Sequence, residues 1–331
     1  MKTISNNNTN TQQMTTTPNS HIQTPFSRIL ITGGMGFFGS NAAVRFRQHG
    51  IIPILSSSAP ERYPEPQRRT VAHVNILDRA SIEACLQQYA PDAILHAAAF
   101  SAPLACEKEP DIAYSINVVG TQNVMALAAD YGIPFVFTST DLVFNGEKNV
   151  LRDGYYSEAD EPDAHIVYGK TKIAAERSIQ EQSFGRWIIL RTALMFGRRV
   201  AWANGFPQFA VDLLKSGKPT TLFTDQFRTP AYIPDIAEVI VHLLRAQRFG
   251  EIYHCGGSER INRTDFVQRY CTVAGVDTSE IIACTMDDVP NYTTRVRDVS
   301  LNSEKLRHSL AQFSWQMTPY EKAFQEMLEG D

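Results

Sequence analysis

Between Arg28 and Gly39 the chain reads Arg-Ile-Leu-Ile-Thr-Gly-Gly-Met-Gly-Phe-Phe-Gly, and no other stretch restricts the fold as sharply. Ile29, Leu30 and Ile31 make a short apolar run suited to a buried strand. Four glycines follow, and Asn41 to Gln48 then places Ala42, Ala43, Val44 and Phe46 in a helical pattern. Strand, glycine-rich turn and helix in succession build a cradle for a pyrophosphate. Gly33 and Gly34 allow the tight turn, Gly36 lets backbone come close to an anion, and Gly39 lets helix and strand pack together. The helix start adds free N–H groups and the positive end of its dipole. The glycines admit two registers, Gly33/Gly36/Gly39 as G-x-x-G-x-x-G or Gly34/Gly36/Gly39 as G-x-G-x-x-G. A glycine turn can also merely turn. The flanking strand and helix are what make this one a candidate dinucleotide site.

Composition removes several function classes. With 331 residues, 43% hydrophobic and 20% charged, the chain is long and apolar enough for a full globular core. A net charge of −4 and only isolated basic pairs, Arg68-Arg69 and Arg198-Arg199, argue against a nucleic-acid partner. The five cysteines are dispersed without metal-ligand spacing, so no metal is expected and free thiols in a reducing compartment are. Residues 1–25 are dominated by Asn, Thr, Gln and Ser and read as a disordered polar tail without an apolar leader core. No apolar run reaches the ~20 residues of a membrane span. The expected location is cytoplasmic, with no membrane partner.

Strands and helices alternate along the next 170 residues or so. Strands are expected near Ile29–Ile31, Gly50–Leu55, Thr70–Val74, Asp92–Ala99, Phe135–Thr140 and Trp187–Arg191. Helices are expected at Ser81–Tyr89, Pro110–Tyr131 and Ile166–Gln182, and Ala59 to Gln67 is a loop rich in proline and charge. Such alternation predicts an α/β fold, a Rossmann-type doubly wound parallel sheet with right-handed crossovers. Beyond Gly197 the pattern loosens. Helices are expected at Phe206–Ser216, Asp235–Arg248 and Thr264–Ala274, with a short strand at Ile252–His254 and a turn-rich final third. Residues 26–197 are therefore assigned to the dinucleotide-binding domain, and 198–331 to a smaller C-terminal substrate-binding lobe interleaved with it.

In an open parallel sheet, ligands bind at the carboxyl ends of the strands. Tyr168-Gly-Lys-Thr-Lys172 puts a phenol and an ammonium one turn apart on a predicted helix, about 5–6 Å between Cβ atoms. A neighbouring ammonium is expected to lower the tyrosine pKa and make the phenol an acid/base near neutral pH. A surface i, i+4 pair is the alternative, because with twelve tyrosines one such spacing arises by chance about half the time. Ser139-Thr140-Asp141 closes the fifth strand. Its hydroxyls are placed to hold a substrate oxygen, or equally to cap a turn. After the second strand, where NAD-binding folds carry an acid for the ribose 2′-OH, stand Ser56-Ser57-Ser58, with Arg62 nearby. Ser57 and Arg62 are therefore assigned to a 2′-phosphate. NADP(H) is the preferred cofactor and NAD(H) the alternative.

The chain resembles the extended short-chain dehydrogenase/reductase family from residue 26 onward. The resemblance rests on Thr32 to Gly39, His96-Ala-Ala-Ala99, Asn117-Val-Val-Gly-Thr121, Ser139-Thr140 and Tyr168-x-x-x-Lys172. Ser139 to Gly146, Tyr156 to Pro162 and Arg295 to Leu301 narrow it to the dTDP-4-dehydrorhamnose reductase branch. The regulatory β subunit of methionine adenosyltransferase shares those motifs. The resemblance implies Tyr168 as acid/base, Lys172 as its modulator and ribose ligand, and Thr140 as the hydroxyl orienting a carbonyl, with Ser139 able to substitute. It implies that Gly33, Gly36, Phe37, Phe38, Gly39, Tyr168 and Lys172 hold the cofactor, that Asn75 and Ile76 line the adenine pocket, and that Ala97, Ala98 and Ala99 lie along the cofactor. Arg228 and Arg295 become candidates for a substrate phosphate or carboxylate, with a solvated role as the alternative. Val296 stands where the branch often has proline, and the tail and the segment around Asn149-Val-Leu-Arg152 look like additions.

The expected activity is reduction of a keto group on a sugar nucleotide or related small molecule. A nucleotide-sugar epimerase and a cofactor-binding regulatory subunit are the alternatives. A homodimer is expected by resemblance.

Overall fold

The computed structural model describes residues 26–148, 154–201, 205–289 and 294–329. The tail at 1–25 and the added segment Asn149 to Arg152 lie outside the described residues. The first half runs β1 (Arg28–Thr32), α1 (Phe37–Gln48), β2 (Ile52–Ser57), β3 (Ala72–His73), α2 (Arg79–Tyr89) and β4 (Ala93–His96). It continues through α3 (Pro103–Lys108), α4 (Pro110–Tyr114), a π turn at Ser115–Val119, α5 (Gly120–Asp130), β5 (Phe135–Thr140), α6 (Val167–Gln180) and β6 (Trp187–Thr192). The second half adds β7 (Met195–Phe196), α7 (Gln208–Lys215), β8 (Thr220–Phe223), β9 (Phe227–Arg228), β10 (Ala231–Tyr232) and α8 (Ile233–Arg245). It ends with β11 (Glu251–Cys255), β12 (Ile261–Asn262), α9 (Arg263–Ala274), β13 (Ile281–Cys284), α10 (Glu304–Ser309) and α11 (Tyr320–Leu328).

Seven parallel strands form the central sheet in the order β11-β6-β5-β4-β1-β2-β3. The order reverses between β1 and β4, which opens a crevice at their carboxyl ends. Strand alternation divides the core. Ile29 and Ile31 pack with Phe46 of α1 and Ile236 and Ile240 of α8, while Leu30 packs on the other face with Ile82, Val124 and Phe135. Register sets the reach of each strand. The β1–β4 pairing ends at Thr32 opposite His96, and the last β4–β5 partner is Phe137. Thr138, Ser139 and Thr140 therefore run three residues further along β6 alone and overhang the crevice. A separate aromatic core joins Phe196, at the end of β7, to Tyr232, Phe266, Tyr320 and Phe324 of the C-terminal part, and these rings meet largely edge to face or tilted.

Three local expectations need correction. The third strand is only Ala72–His73, because polar Gln67–Thr70 winds into a 3-10 turn, with Thr70 Oγ1 donating to the Gln67 carbonyl at 2.9 Å. The helix expected from Pro110 to Tyr131 is broken by the π turn at Ser115–Val119. That extra residue accompanies buried Asn117, which accepts from Phe100 N–H at 2.8 Å and donates to Thr171 Oγ1 at 3.0 Å. The fourth strand stops at His96, because the next two amides turn to the Thr32 hydroxyl at 3.2 and 3.3 Å. No helix among the described residues is long and apolar enough to cross a membrane.

Candidate active site

The glycine turn leaves β1 at the centre of the crevice. Gly33 has φ +63°, and a Cβ there would lie 2.8 Å from Ala98 Cα, so the turn presses against the loop after β4. A Cβ on Gly39 would lie 2.6 Å from Gly34 Cα, so this residue sets how closely α1 meets the turn. Gly36 caps α1 with no side-chain hydrogen bond and no acid follows in the first turn, which leaves the amide groups facing the crevice.

Two adjoining cavities of about 430 Å³ each open over this turn. One is lined by Gly33, Gly36, Phe37, Phe38, Gly39, Ala97, Ala98, Ala99, Ser139, Tyr168 and Lys172. The other is lined by Gly33, Gly36, Ser57, Asn75, Ile76, Ala98 and Ala99. Two adjoining cavities with backbone glycines at their join fit the two linked halves of a dinucleotide. Ser56, Ser57 and Ser58 line the second cavity, whose lining contains no carboxylate. Ser57 Oγ accepts from Ala59 N–H at 3.1 Å, which leaves its own proton to donate. Arg62 is exposed on a 3-10 turn and lines neither cavity. A third cavity, around Phe26, Pro91 and Arg186, lies at the opposite end of the strands.

A buried chain of hydrogen bonds sets the floor. Thr121 Oγ1 donates to the Asn117 carbonyl at 2.7 Å, so it must accept from His96 Nε2 at 3.0 Å. His96 Nδ1 then accepts from Thr32 Oγ1 at 2.7 Å. The ring is neutral: burial, aided by nearby Lys172, lowers its pKa to about 3.

Tyr168 and Lys172 occupy the first turns of α6. Burial, with Asp141 and then Cys106 nearby, holds the Tyr168 phenol above its ordinary pKa, and a hydrogen bond with Thr140 offsets part of this. This corrects the expectation of a lowered value. The Lys172 Nζ lies 3.8 Å above the Phe137 ring centroid. Burial lowers the Lys172 pKa to about 7, with Glu176 opposing the shift. Thr140 Oγ1 donates to Asp141 Oδ1 at 3.0 Å and accepts from Leu142 N–H at 3.2 Å, so it also caps the turn Asp141–Val143.

Ser139 is fixed from behind. Its hydroxyl donates to Glu176 Oε1 at 2.5 Å, and Glu176 is gripped by Arg191 through Nε at 3.0 Å and Nη2 at 2.7 Å. All three are at most 3% exposed. Toward the cavity Ser139 therefore offers lone pairs and no proton.

Beyond Thr140 lies a group of guanidinium ions. Buried Arg228 places Nε 3.4 Å from Asp141 Oδ2 and donates to the carbonyls of Phe227 at 2.6 Å and Val296 at 2.9 Å. Burial nonetheless raises the Asp141 pKa against the pull of Arg228. Arg295 stacks 3.9 Å over Phe223. Arg263, the first residue of α9, was absent from the sequence reading. Burial, then Arg228, lowers its pKa to about 9, with Arg295 adding to the shift. Nothing around a lone arginine after Asn262 marks it in the sequence; only the fold brings it to Arg228. Tyr63 was also missed, and it lines both cavities. Among the described residues no group of three or more His, Cys, Asp or Glu is arranged to hold a metal.

Parallel sheet, glycine turn and Tyr168–Lys172 pair together define an extended short-chain dehydrogenase/reductase. Residues 27–330 match the model of the RmlD substrate binding domain, and the chain belongs to that family. It is 30% identical over 283 residues to "Probable low-salt glycan biosynthesis reductase Agl14" of Haloferax volcanii, covering 85% of this chain and 91% of that one. It is 27% identical over 292 residues to methionine adenosyltransferase 2 subunit beta of Xenopus laevis, covering 86% and 83%. Among solved structures it is similar to dTDP-4-dehydrorhamnose reductase of Bacillus anthracis in complex with NADP. There the TM-score is 0.77 and the identity 23%, over 92% of this chain and 99% of that one.

Proposed function

We propose that this protein is an NAD(P)H-dependent reductase of a keto group on a sugar nucleotide or a closely related substrate. The observation that carries the reading is that Tyr168, Lys172 and Ser139 line the same cavity as the glycine turn. A bound reduced nicotinamide supplies hydride to the carbonyl carbon. Tyr168, kept protonated at neutral pH by its burial, donates its phenolic proton to the carbonyl oxygen as negative charge develops there. Thr140 orients the phenol, and Lys172 holds a ribose hydroxyl from the floor of the cavity. Ser139 accepts a hydrogen bond from the ligand, since its proton is held by Glu176. Arg263 and Arg295, with Arg228 behind them, draw the anionic part of the substrate toward the lobe. The test is the variant Tyr168→Phe. It should lower kcat for reduction of a 4-keto sugar nucleotide by about 10²- to 10⁴-fold while leaving the Kd for NADPH within a factor of about two. Full activity in Tyr168→Phe would refute the role given to the phenol.

NADPH is the preferred cofactor in this reading, because serines stand where a ribose-binding acid would. Arg62, exposed and next to Tyr63 in sequence, supplies the charge for the 2′-phosphate from outside the cavity. NADPH should bind at least tenfold more tightly than NADH, and Arg62→Ala should narrow the gap. Equal affinities in the wild type would overturn the preference.

A second reading is a cofactor-binding regulatory subunit, favoured by the similarity to methionine adenosyltransferase 2 subunit beta over 86% of the chain. Recovery of a stoichiometric protein partner, together with no turnover on any keto sugar nucleotide, would establish it.

A further inference from the structure

The two cavities over the glycine turn share five lining residues: Gly33, Gly36, Tyr63, Ala98 and Ala99. Shared residues mark the waist of the groove, where a dinucleotide's two halves are joined by its pyrophosphate. Glycine and alanine offer only backbone there. Tyr63 is the one shared residue with a polar side chain, and it arrives from a different element, the segment between β2 and β3.

We propose that Tyr63 is a cofactor-binding residue that closes the groove over the pyrophosphate, with its phenolic O–H as a hydrogen-bond donor to a phosphate oxygen. This rests on the cofactor reading above. The segment is built to hold one position. Pro60, Pro64 and Pro66 fix three φ angles around Tyr63. The Tyr63 amide donates to the Pro60 carbonyl at 3.1 Å, and the Arg69 amide to the Pro66 carbonyl at 3.1 Å, so a 3-10 turn flanks it on each side. Little ordering of this segment is then left for the moment of binding. The nearest downstream carboxylate, Glu65, is paired with Arg69 at 3.1 Å, which softens its repulsion of an anion. The cationic neighbour Arg62 is exposed. The amides of the glycine turn hold the pyrophosphate from below, and Tyr63 adds a donor from the open side.

Binding to the full chain tests this without any substrate. Kd is measured for NADPH, ADP-ribose and adenosine 2′-monophosphate in the wild type, Tyr63→Phe and Tyr63→Ala, with thermal melting as a check on folding. A charge-assisted hydrogen bond predicts that Tyr63→Phe weakens NADPH and ADP-ribose by about 10- to 100-fold. Adenosine 2′-monophosphate, which has no pyrophosphate, should change by less than about twofold. Tyr63→Ala should weaken the first two ligands at least as much. Unchanged binding of NADPH and ADP-ribose by both variants would overturn the proposal, and equal loss for all three ligands would overturn the assignment to the pyrophosphate. A wild type that binds neither NADPH nor NADH would instead refute the cofactor reading.

Discussion

Tyr168 and Lys172 show how far a motif and its setting can diverge. Their spacing predicts an ammonium that lowers the phenol's pKa, yet burial and Asp141 raise it, while Lys172 rests on Phe137. The spacing was legible because four residues make about one helical turn. The direction of the shift was not, because it depends on burial and on groups brought from the end of β5 and from α3. Lys172 itself yields a prediction. Its folded-state pKa of about 7 lies below the ordinary lysine value, so between about pH 7 and 10 the unfolded chain binds more protons. Its contribution to stability therefore rises with pH through that window and is least favourable below it. Lys172→Met should raise Tm at pH 6, with the gain fading by pH 10; a gain that grows with pH would contradict the assignment. In the free enzyme the ammonium is lost above about pH 7, so kcat/KM should fall on that side of neutrality.

At the scale of elements, the turn between β1 and α1 separates two kinds of glycine. A Cβ at Gly36 would have only the Gly33 carbonyl nearby, at 3.1 Å, and would otherwise stand in the groove. A Cβ at Gly39 would strike the Gly34 backbone at 2.6 Å. Gly36→Ala should thus keep Tm within a few degrees and weaken NADPH binding at least tenfold, whereas Gly39→Ala should lower Tm as well. Melting curves and fluorescence titrations of the two variants check this, and identical behaviour would count against the geometry. The main strands were legible from their apolar runs. The π turn at Ser115–Val119 was not, since Asn117 draws it out by bonding to Phe100 and to Thr171 on distant elements. Helix α11 carries a signal readable in the sequence: Tyr320, Ala323, Phe324 and Met327 recur at helical spacing and are buried.

At the scale of the whole molecule, the chain leaves the central sheet after β6, builds much of the lobe and returns as β11 against β6. The fold thereby brings Arg228, Arg263 and Arg295 to the end of β5, although they are scattered over nearly 70 positions. The type of fold could be read from the sequence, because each βαβ unit is local. The C-terminal part could not, because it is assembled from short strands whose pairing is long-range. The proposed homodimer belongs to this scale too. Ile112 and Val119, two helical turns apart, and Tyr114 beside them in sequence expose apolar side chains on α4 and the π turn, surface that a second copy would cover. Sedimentation should give twice the chain's 37.0 kDa, and Tyr114→Glu should shift it toward monomer; a wild-type monomer at micromolar concentration would refute the dimer.

In the proposed reaction the cofactor held by the pyrophosphate cradle and the Tyr168 end of the cavity act on one carbonyl. It is tested most directly by following nicotinamide absorbance while the protein meets dTDP-4-dehydrorhamnose and related 4-keto sugar nucleotides, with product mass measured in parallel. The account predicts one NADPH oxidised for each keto sugar gaining two hydrogens. NADPH that binds but is never consumed with any of these substrates would contradict it.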